Sequence, residues 1–558
     1  MHRLFQTHSY LAALIRAGLI AGIVVGAATF PVAALTGMGV LAATDYIHNL
    51  PTNLRDTPSA QVSYAYAADG ETLIAQFYEE YRRYVSLSEV SPHMQRAIVA
   101  SEDARFYEHK GVDTKGLLRA FVANQRSGGV SQGASTLTMQ YVRNVQRDSA
   151  RSADEVREAT EQTQQRKLRE MRLAVAVEKQ MTKEQILEGY LNVAYFGHRA
   201  YGIYAAAEVY FSKHPSQLTL PEAAMLAGLV KAPTEFDPAS RDQTAALDRR
   251  NYILDRMVEL RYLSPEQAEE AKQTPIELRL TDPPNDCISV SSEHRDWGFF
   301  CDLLKSWWRR QPAFGDNPQA REENLRRGGY KIVTSLDPRL QEIAMSEVTS
   351  KESIGSPYAL GLVAVQPGTG RIQAAAVNRN YSMDQSRNGP HSLAAAARAG
   401  LKGTYPNTVA PLLGGGGVAG YQAGSTFKIF TILAALEMGY PLNTRINSPH
   451  RIQTQYAAEG AASCNGYWCP SNASAAMAGV HTMWSGFGQS VNTFFVQLEQ
   501  MVGAERVVRM AERLGLTWRT DEDRRLASPE NANNWGAFTL GVADTTPIDM
   551  ANAYATLA

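Results

Sequence analysis

The chain has 558 residues, 44% hydrophobic and 20% charged, with 55 basic side chains against 56 acidic ones. That length exceeds one ordinary domain, and the composition excludes a disordered polymer. The near-zero net charge removes any global pull toward nucleic acid, so an anionic ligand has to be held by local cations.

In chain order, a short tail, residues 1–16, carries Arg3 and Arg16, and residues 17–43 then contain no charged side chain; Asp45 is the first charge after them. A helix of about 20 apolar residues crosses a bilayer. The basic flank predicts a single-pass anchor with the tail in the cytoplasm and everything after Ala43 outside, at the plasma membrane. The plain alternative, a cleaved signal peptide, has a shorter apolar core. Residues 44–90 read as a short extended region. From Ser91 to about Arg241 apolar residues recur every three or four positions, as in "EQILEGYLNVAYF" and "LPEAAMLAGLVKA". Leu220-Pro221-Glu222 marks a helix start there. Residues 242–355 mix charged helix with a polar linker region. "LGLVAVQPGTGRIQAAAV", 360–377, predicts a β-hairpin turning at Pro367–Gly370. "LLGGGGVAGY" lacks the Gly-Lys-Ser/Thr ending of a phosphate loop and reads as a flexible loop. The apolar run after Ser425 predicts a buried helix. Cys287 and Cys301 are neighbours in sequence, as are Cys464 and Cys469, without the further ligands of a zinc site. In an oxidising compartment they predict two short-range disulfides.

Two separate stretches carry chemistry. In "SEDARFYEHKGVD" the adjacent Glu102 and Asp103 point about 100° apart on a helix, so one of them can face a given cleft. In "QRKLREMRLAVAVEK", Lys167 and Glu170 share a helix face, which read plainly is a salt bridge. Two glutamates with cations nearby also suit glycosyl transfer from a diphosphate donor: one carboxylate takes a proton from a sugar hydroxyl, and cations take the charge of the leaving group. Further along, Ser425 and Lys428 lie one helical turn apart, a nucleophile and its base. Ser490 and Asn492, in "SVN", supply a proton relay and an amide for a peptide carbonyl.

"EDARFYEHKGVD", "GASTLTMQ", "RKLREMRLAVAVE", "ILEGYLNVAYFGHRAYGIYAAAEVYF" and "LTLPEAAMLAGLVKAPTEFDP" occur in that order. They resemble the five motifs of the peptidoglycan glycosyltransferase domain of bifunctional, class A penicillin-binding proteins. The resemblance covers residues 76–241. It implies a mainly α, lysozyme-like fold that polymerises lipid II with inversion. Glu102 would act as base on the acceptor 4-hydroxyl, Glu170 as the second catalytic carboxylate, Arg166 and Lys167 near the diphosphate, and Ser135 and Gln140 along the cleft. It leaves room for a divalent cation, Mg or Mn. Ala134, Met139 and His198 depart from the usual motif residues, and Glu161-Gln162-Thr163 stands where another arginine is common.

Ser425-x-x-Lys428 and Ser490-x-Asn492, with "TSLDPRLQ" and the 360–377 stretch, resemble that family's α/β transpeptidase domain over residues 356–558. The resemblance implies acylation of Ser425 by a D-Ala-D-Ala stem peptide, transfer to an amine, and acylation by β-lactams. No Lys-Thr-Gly follows Asn492, and the expectation is a transpeptidase domain truncated before that motif. The chain therefore reads as an anchored peptidoglycan synthase whose partners are lipid II, nascent glycan strands, stem peptides, β-lactams and the bilayer. Two alternatives remain: a glycosyltransferase carrying a non-catalytic penicillin- or peptide-binding module, and a lysozyme-like hydrolase.

Overall fold

The computed structural model describes residue 54 and residues 59–119, 135–150, 153–161 and 163–558. The expected anchor, 17–43, and the tail before it lie outside them. Among the described residues no helix is long and apolar enough to cross a membrane. The chain divides into two units. One contains Glu80–Pro283 with Gln61, and the other joins Val62–Glu79 to Pro284–Ala558. The stretch read as a linker, 242–355, is shared between them.

The first unit is helical. Helix α1 (Pro92–Glu102) starts at Ser91, whose hydroxyl accepts from His93 N, with Pro92 in the first turn, where no N–H is needed. It is followed by α2 (Leu137–Asp148), α3 (Gln164–Val177), α4 (Lys183–Val193) and α5 (Gly202–Phe211). Then come α6 (Leu220–Leu229), α7 (Thr244–Glu259) and α8 (Pro265–Gln273). Thr219 and Glu222 close a capping box at the head of α6, where the Leu-Pro-Glu signal lies. From Ala223 to Leu229 every residue of α6 is buried, so this helix is the spine against which α1 and α7 pack. Helix α2 packs on α3 and α4. Residues 242–273, part of the expected linker, thus supply α7 and α8 to this unit because Ala246, Ile253, Leu254 and Met257 form an apolar stripe that needs a partner.

The second unit begins with a hairpin of β1 (Ser63–Tyr66) and β2 (Leu73–Phe77), and β3 (Lys331–Val333) adds to β1 in parallel, Ala65 opposite Ile332. A second hairpin, β4 (Gly361–Gln366) and β5 (Arg371–Val377), turns at Pro367–Gly370 as the alternation predicts. Helices α9 (Trp297–Arg310), α10 (Pro318–Arg327) and α11 (Pro338–Lys351) surround these strands. Trp297, Phe299, Phe300, Trp308, Leu325 and Leu336 form a core with Phe77, Ala375 and Val377. Cys287 is bonded to Cys301 in α9, with Cα atoms 5.5 Å apart, which fastens the chain entering this core. The polyglycine segment read as a flexible loop is packed in its first half, where a Cβ on Gly414 would meet Thr546 Oγ1 at 2.7 Å, and exposed at Gly416 and Gly417.

A larger apolar core follows. It is built on α12 (Lys428–Glu437), α13 (Asn492–Val502) and α14 (Ala504–Arg513), and includes Phe427, Phe430, Phe494, Phe495, Val507 and Phe538. The run after Ser425 is buried along most of its faces, but Leu436 at its end is exposed. Two of the short pairings that border this core can be named. Strand β6 (Tyr421–Gln422) pairs with β9 (Asp544–Thr545), and β7 (Ser463–Cys464) pairs with β8 (Tyr467–Trp468). Asn465 and Gly466 both have positive φ at the β7–β8 turn, the two-residue hairpin geometry that Asn-Gly favours. Cys464 and Cys469 are bonded across this hairpin.

Non-reducing peptide mapping is expected to recover Cys287–Cys301 and Cys464–Cys469 and no crossed pair. Replacing Cys301 with Ser should lower the second unit's unfolding free energy by about 3 kcal/mol, the entropic value for a loop of roughly this length. Chemical denaturation of the single variant checks it.

Two candidate active sites

In the first unit Glu102 closes the last turn of α1, and both of its oxygens are held. Ser101 Oγ lies 2.9 Å from Oε1, and the Gln140 amide of α2 donates to Oε2 at 2.9 Å. Gln140 in turn accepts from the Tyr190 hydroxyl of α4 at 3.1 Å. Complete burial first, and the Glu102 charge second, push that hydroxyl well above its ordinary value, so it stays a donor. Arg249 of α7 approaches Glu102 Oε1 to 3.8 Å.

Asp103 points the other way. Its Oδ2 accepts from Leu137 N at 3.0 Å and pairs with His109 at 2.9 Å, and it is buried. It therefore fastens the end of α1 to the start of α2. Thr136 caps α2 and donates to Gly111 O at 2.6 Å.

The pairing expected between Lys167 and Glu170 is replaced by another. Glu170, 1% exposed, pairs with Arg166 one turn earlier on α3, while Lys167 donates to the Ser135 hydroxyl. Burial holds the Lys167 ammonium below its ordinary value, and Arg143 and Arg166 push the same way against the pull of Glu170. Gln140 and Arg166 line one cavity with Arg143, Arg147 and Tyr195. Arg143 and Arg147 were missed in the sequence. Their signal is the spacing of Gln140, Arg143 and Arg147, which places all three on one face of α2. Among the described residues no group of three or more His, Cys, Asp or Glu side chains is placed to hold a metal ion, and no step below is routed through one.

In the second unit Ser425 sits exposed on a single 3-10 turn, Gly424–Phe427, that leads directly into α12. Lys428, the first residue of α12, is fully buried. Its Nζ lies 3.0 Å from Ser425 Oγ, 2.9 Å from Ser490 Oγ, 2.8 Å from Ser490 O and 2.7 Å from Asn492 Oδ1. An ammonium has three protons to share among these four oxygens. A neutral amine instead offers a lone pair to the Ser425 hydroxyl proton. Burial favours the neutral form and lowers the lysine to about 8. Ser490 adopts a left-handed backbone, φ 57°, that turns both its carbonyl and its hydroxyl toward Lys428. Asn492 opens α13, and its amide nitrogen donates to Ser471 O at 3.0 Å, which directs the amide oxygen to the lysine.

The buttress behind Ser425 was not legible in the motif. Gly424 N donates to Gly541 O at 3.0 Å, and a Cβ on Gly541, whose φ is 74°, would lie 1.9 Å from Gly424 O. Thr539, two residues earlier, ties both helices of the site. Its N–H donates to Glu499 of α13 at 3.2 Å, and its hydroxyl meets that of Thr431 of α12 at 2.6 Å. Burial raises the Glu499 carboxyl well above the ordinary range.

Known proteins share both halves. A family profile described as Transglycosylase matches residues 70–258, and one described as Penicillin binding protein transpeptidase domain matches residues 360–558. The chain is 29% identical over 513 residues to Penicillin-binding protein 2D of Bacillus subtilis (strain 168), which covers 90% of this chain and 63% of that protein. With Penicillin-binding protein 1A of Mycobacterium tuberculosis it shares 31% over 519 residues, 90% of this chain and 54% of the relative. With Penicillin-binding protein 1A of Escherichia coli (strain K12) it shares 38% over 284 residues, 51% and 30% of the two chains. The chain thus spans less than two thirds of the length of these relatives. The transpeptidase match runs to residue 558, so the expectation of a domain cut before Lys-Thr-Gly gains no support from it.

Gly541→Ala is expected to cost about 2 kcal/mol or more, from a backbone clash added to a strained φ. It should also slow the reaction of Ser425 with an acylating probe. Thermal unfolding and probe incorporation on one preparation check both.

Proposed function

We propose, for a chain that belongs to the penicillin-binding proteins joining a transglycosylase to a transpeptidase domain, that the first unit polymerises lipid II into glycan strands. Glu102 takes the proton of the acceptor 4-hydroxyl as that oxygen attacks the donor anomeric carbon from the face opposite the diphosphate. The bond from that carbon to the diphosphate breaks, and the configuration inverts. Arg166, Lys167 and Arg143 take the charge of the departing diphosphate, with Glu170 holding Arg166 in place. The observation that carries this reading is the position of Gln140, whose amide holds Glu102 and whose side chain lines the arginine cavity. A carboxylate base and a cationic wall are thus joined through one side chain, an arrangement suited to diphosphate displacement and of no use to a plain glycan hydrolase.

The second reaction proposed is peptide cross-linking. Neutral Lys428 takes the Ser425 proton as Oγ bonds to the carbonyl carbon of the penultimate D-Ala. The peptide nitrogen leaves with a proton relayed through Ser490, and an amine of a neighbouring strand then displaces Ser425 from the acyl-enzyme. A β-lactam would open on the same oxygen. Residues 493–558 contain no lysine, so no Lys-Thr-Gly contact to the substrate carboxylate is proposed within them. The two disulfides suit the proposed location, outside the plasma membrane and anchored by residues 17–43.

Glu102→Gln keeps the shape and both hydrogen-bond neighbours while removing the proton acceptor. Loss of such a base is expected to lower lipid II polymerisation by about 10²–10⁴. Gel analysis of products from the full chain checks it. Activity of Glu102→Gln within about threefold of wild type removes Glu102 from the mechanism, and short fragments in place of polymer would favour a hydrolase.

A further inference from the structure

Resting on the glycosyl-transfer reading, the geometry points to Arg249 as a positioning residue for the base: it directs the Ser101 proton onto Glu102 and so holds that carboxylate aimed. Arg249 Nη2 donates to Ser101 Oγ at 3.1 Å and stands 3.8 Å from Glu102 Oε1. Ser101 has one proton and two acceptors in reach, Glu102 Oε1 at 2.9 Å and Ala227 O at 3.1 Å. A cation that occupies a Ser101 lone pair beside the carboxylate favours donation to Glu102, where the negative charge makes the stronger bond.

The guanidinium is placed for this task. Its stem crosses α6 at Gly228, where a Cβ would meet Arg249 Cγ at 3.0 Å. It lies between the rings of Phe236, 5.7 Å away, and Tyr252, 5.1 Å away. The side chains of Arg249 and Glu102 are 10% and 11% exposed, so the pair is screened little by water. The next residue shows what a structural arginine looks like in this helix. Arg250 donates to Thr274 O at 2.8 Å and Lys272 O at 2.6 Å, stapling α7 to the end of α8. Among the described residues Arg249 has no such carbonyl partner, and its buried Nε has no hydrogen-bond partner. Among the described residues, the groups hydrogen-bonded to Glu102 are uncharged, Ser101 on α1 and the Gln140 amide on α2, and behind the amide stands the Tyr190 hydroxyl of α4.

The test uses the full chain, lipid II and two variants. Arg249→Met keeps a stem of similar length between the two rings and removes the charge; Arg249→Lys keeps the charge and loses the fork. Loss of a group that orients the base removes an interaction needed in the transition state and not in substrate binding. For Arg249→Met, kcat should therefore fall roughly tenfold with little change in KM. Arg249→Lys should restore part of the lost kcat. An Arg249→Met enzyme with wild-type kcat, or one that raises KM alone, overturns the proposal. Should Arg249→Met fail to fold, Ser101→Ala tests the same link: a lowered kcat supports it and an unchanged one overturns it. An active Glu102→Gln enzyme would instead sink the glycosyl-transfer reading itself, whereas an inactive Glu102→Gln beside a normal Arg249→Met sinks only the role of Arg249.

Discussion

An amine buried away from water must find its hydrogen bonds in the protein or give up its charge, and the second unit is arranged around that requirement at Lys428. Four oxygens converge on its Nζ from two separate segments, the 3-10 turn at 424–427 and the stretch from the left-handed Ser490 to Asn492 at the head of α13. The cost of holding an ammonium there is what turns a lysine into a base. The same enclosure shapes the rest of the site: the Phe495 ring lies 5.5 Å from the lysine Nζ, and the 538–541 segment closes behind Gly424. Thr539 joins α12 to α13 from below, so the nucleophile, the base and the amide share one support.

The first unit answers a different demand. Its base is a carboxylate, which has to stay ionised and hold one orientation. It is therefore surrounded by donors, Ser101 and Gln140, with a guanidinium at 3.8 Å, and is not buried among apolar groups. The acid beside it, Asp103, serves the fold by tying α1 to the start of α2 through Leu137 N and His109. Two neighbouring acids are thus divided between chemistry and architecture by the 100° step of a helix.

Much of this was legible in the sequence wherever local physics decides. The helix start at Leu220-Pro221-Glu222, the hairpin turn at Pro367–Gly370 and the one-turn spacing of Ser425 and Lys428 each follow from neighbours a few residues away. The misses share a cause, since they depend on partners far along the chain or on side-chain reach. The parallel pairing of β1 with β3 joins Ala65 to Ile332, and nothing near either residue announces it. Lys167 and Glu170 share a face, yet Arg166 reaches the carboxylate and Lys167 extends to Ser135 instead. Arg249 lies well downstream of the acid it approaches, and Gly541 is far from the turn that it allows to close.

The pH dependence of Ser425 acylation tests the central claim, that burial makes Lys428 the base. With the lysine at about 8, its neutral fraction rises as pH increases through that value. The rate of Ser425 acylation by a fluorescent penicillin, whatever its absolute size, should climb about tenfold between pH 7 and pH 9 and then level off. Ser425→Ala should abolish the label. A Ser425-dependent rate that stays flat across this range, or that survives Lys428→Arg undiminished, would contradict the account.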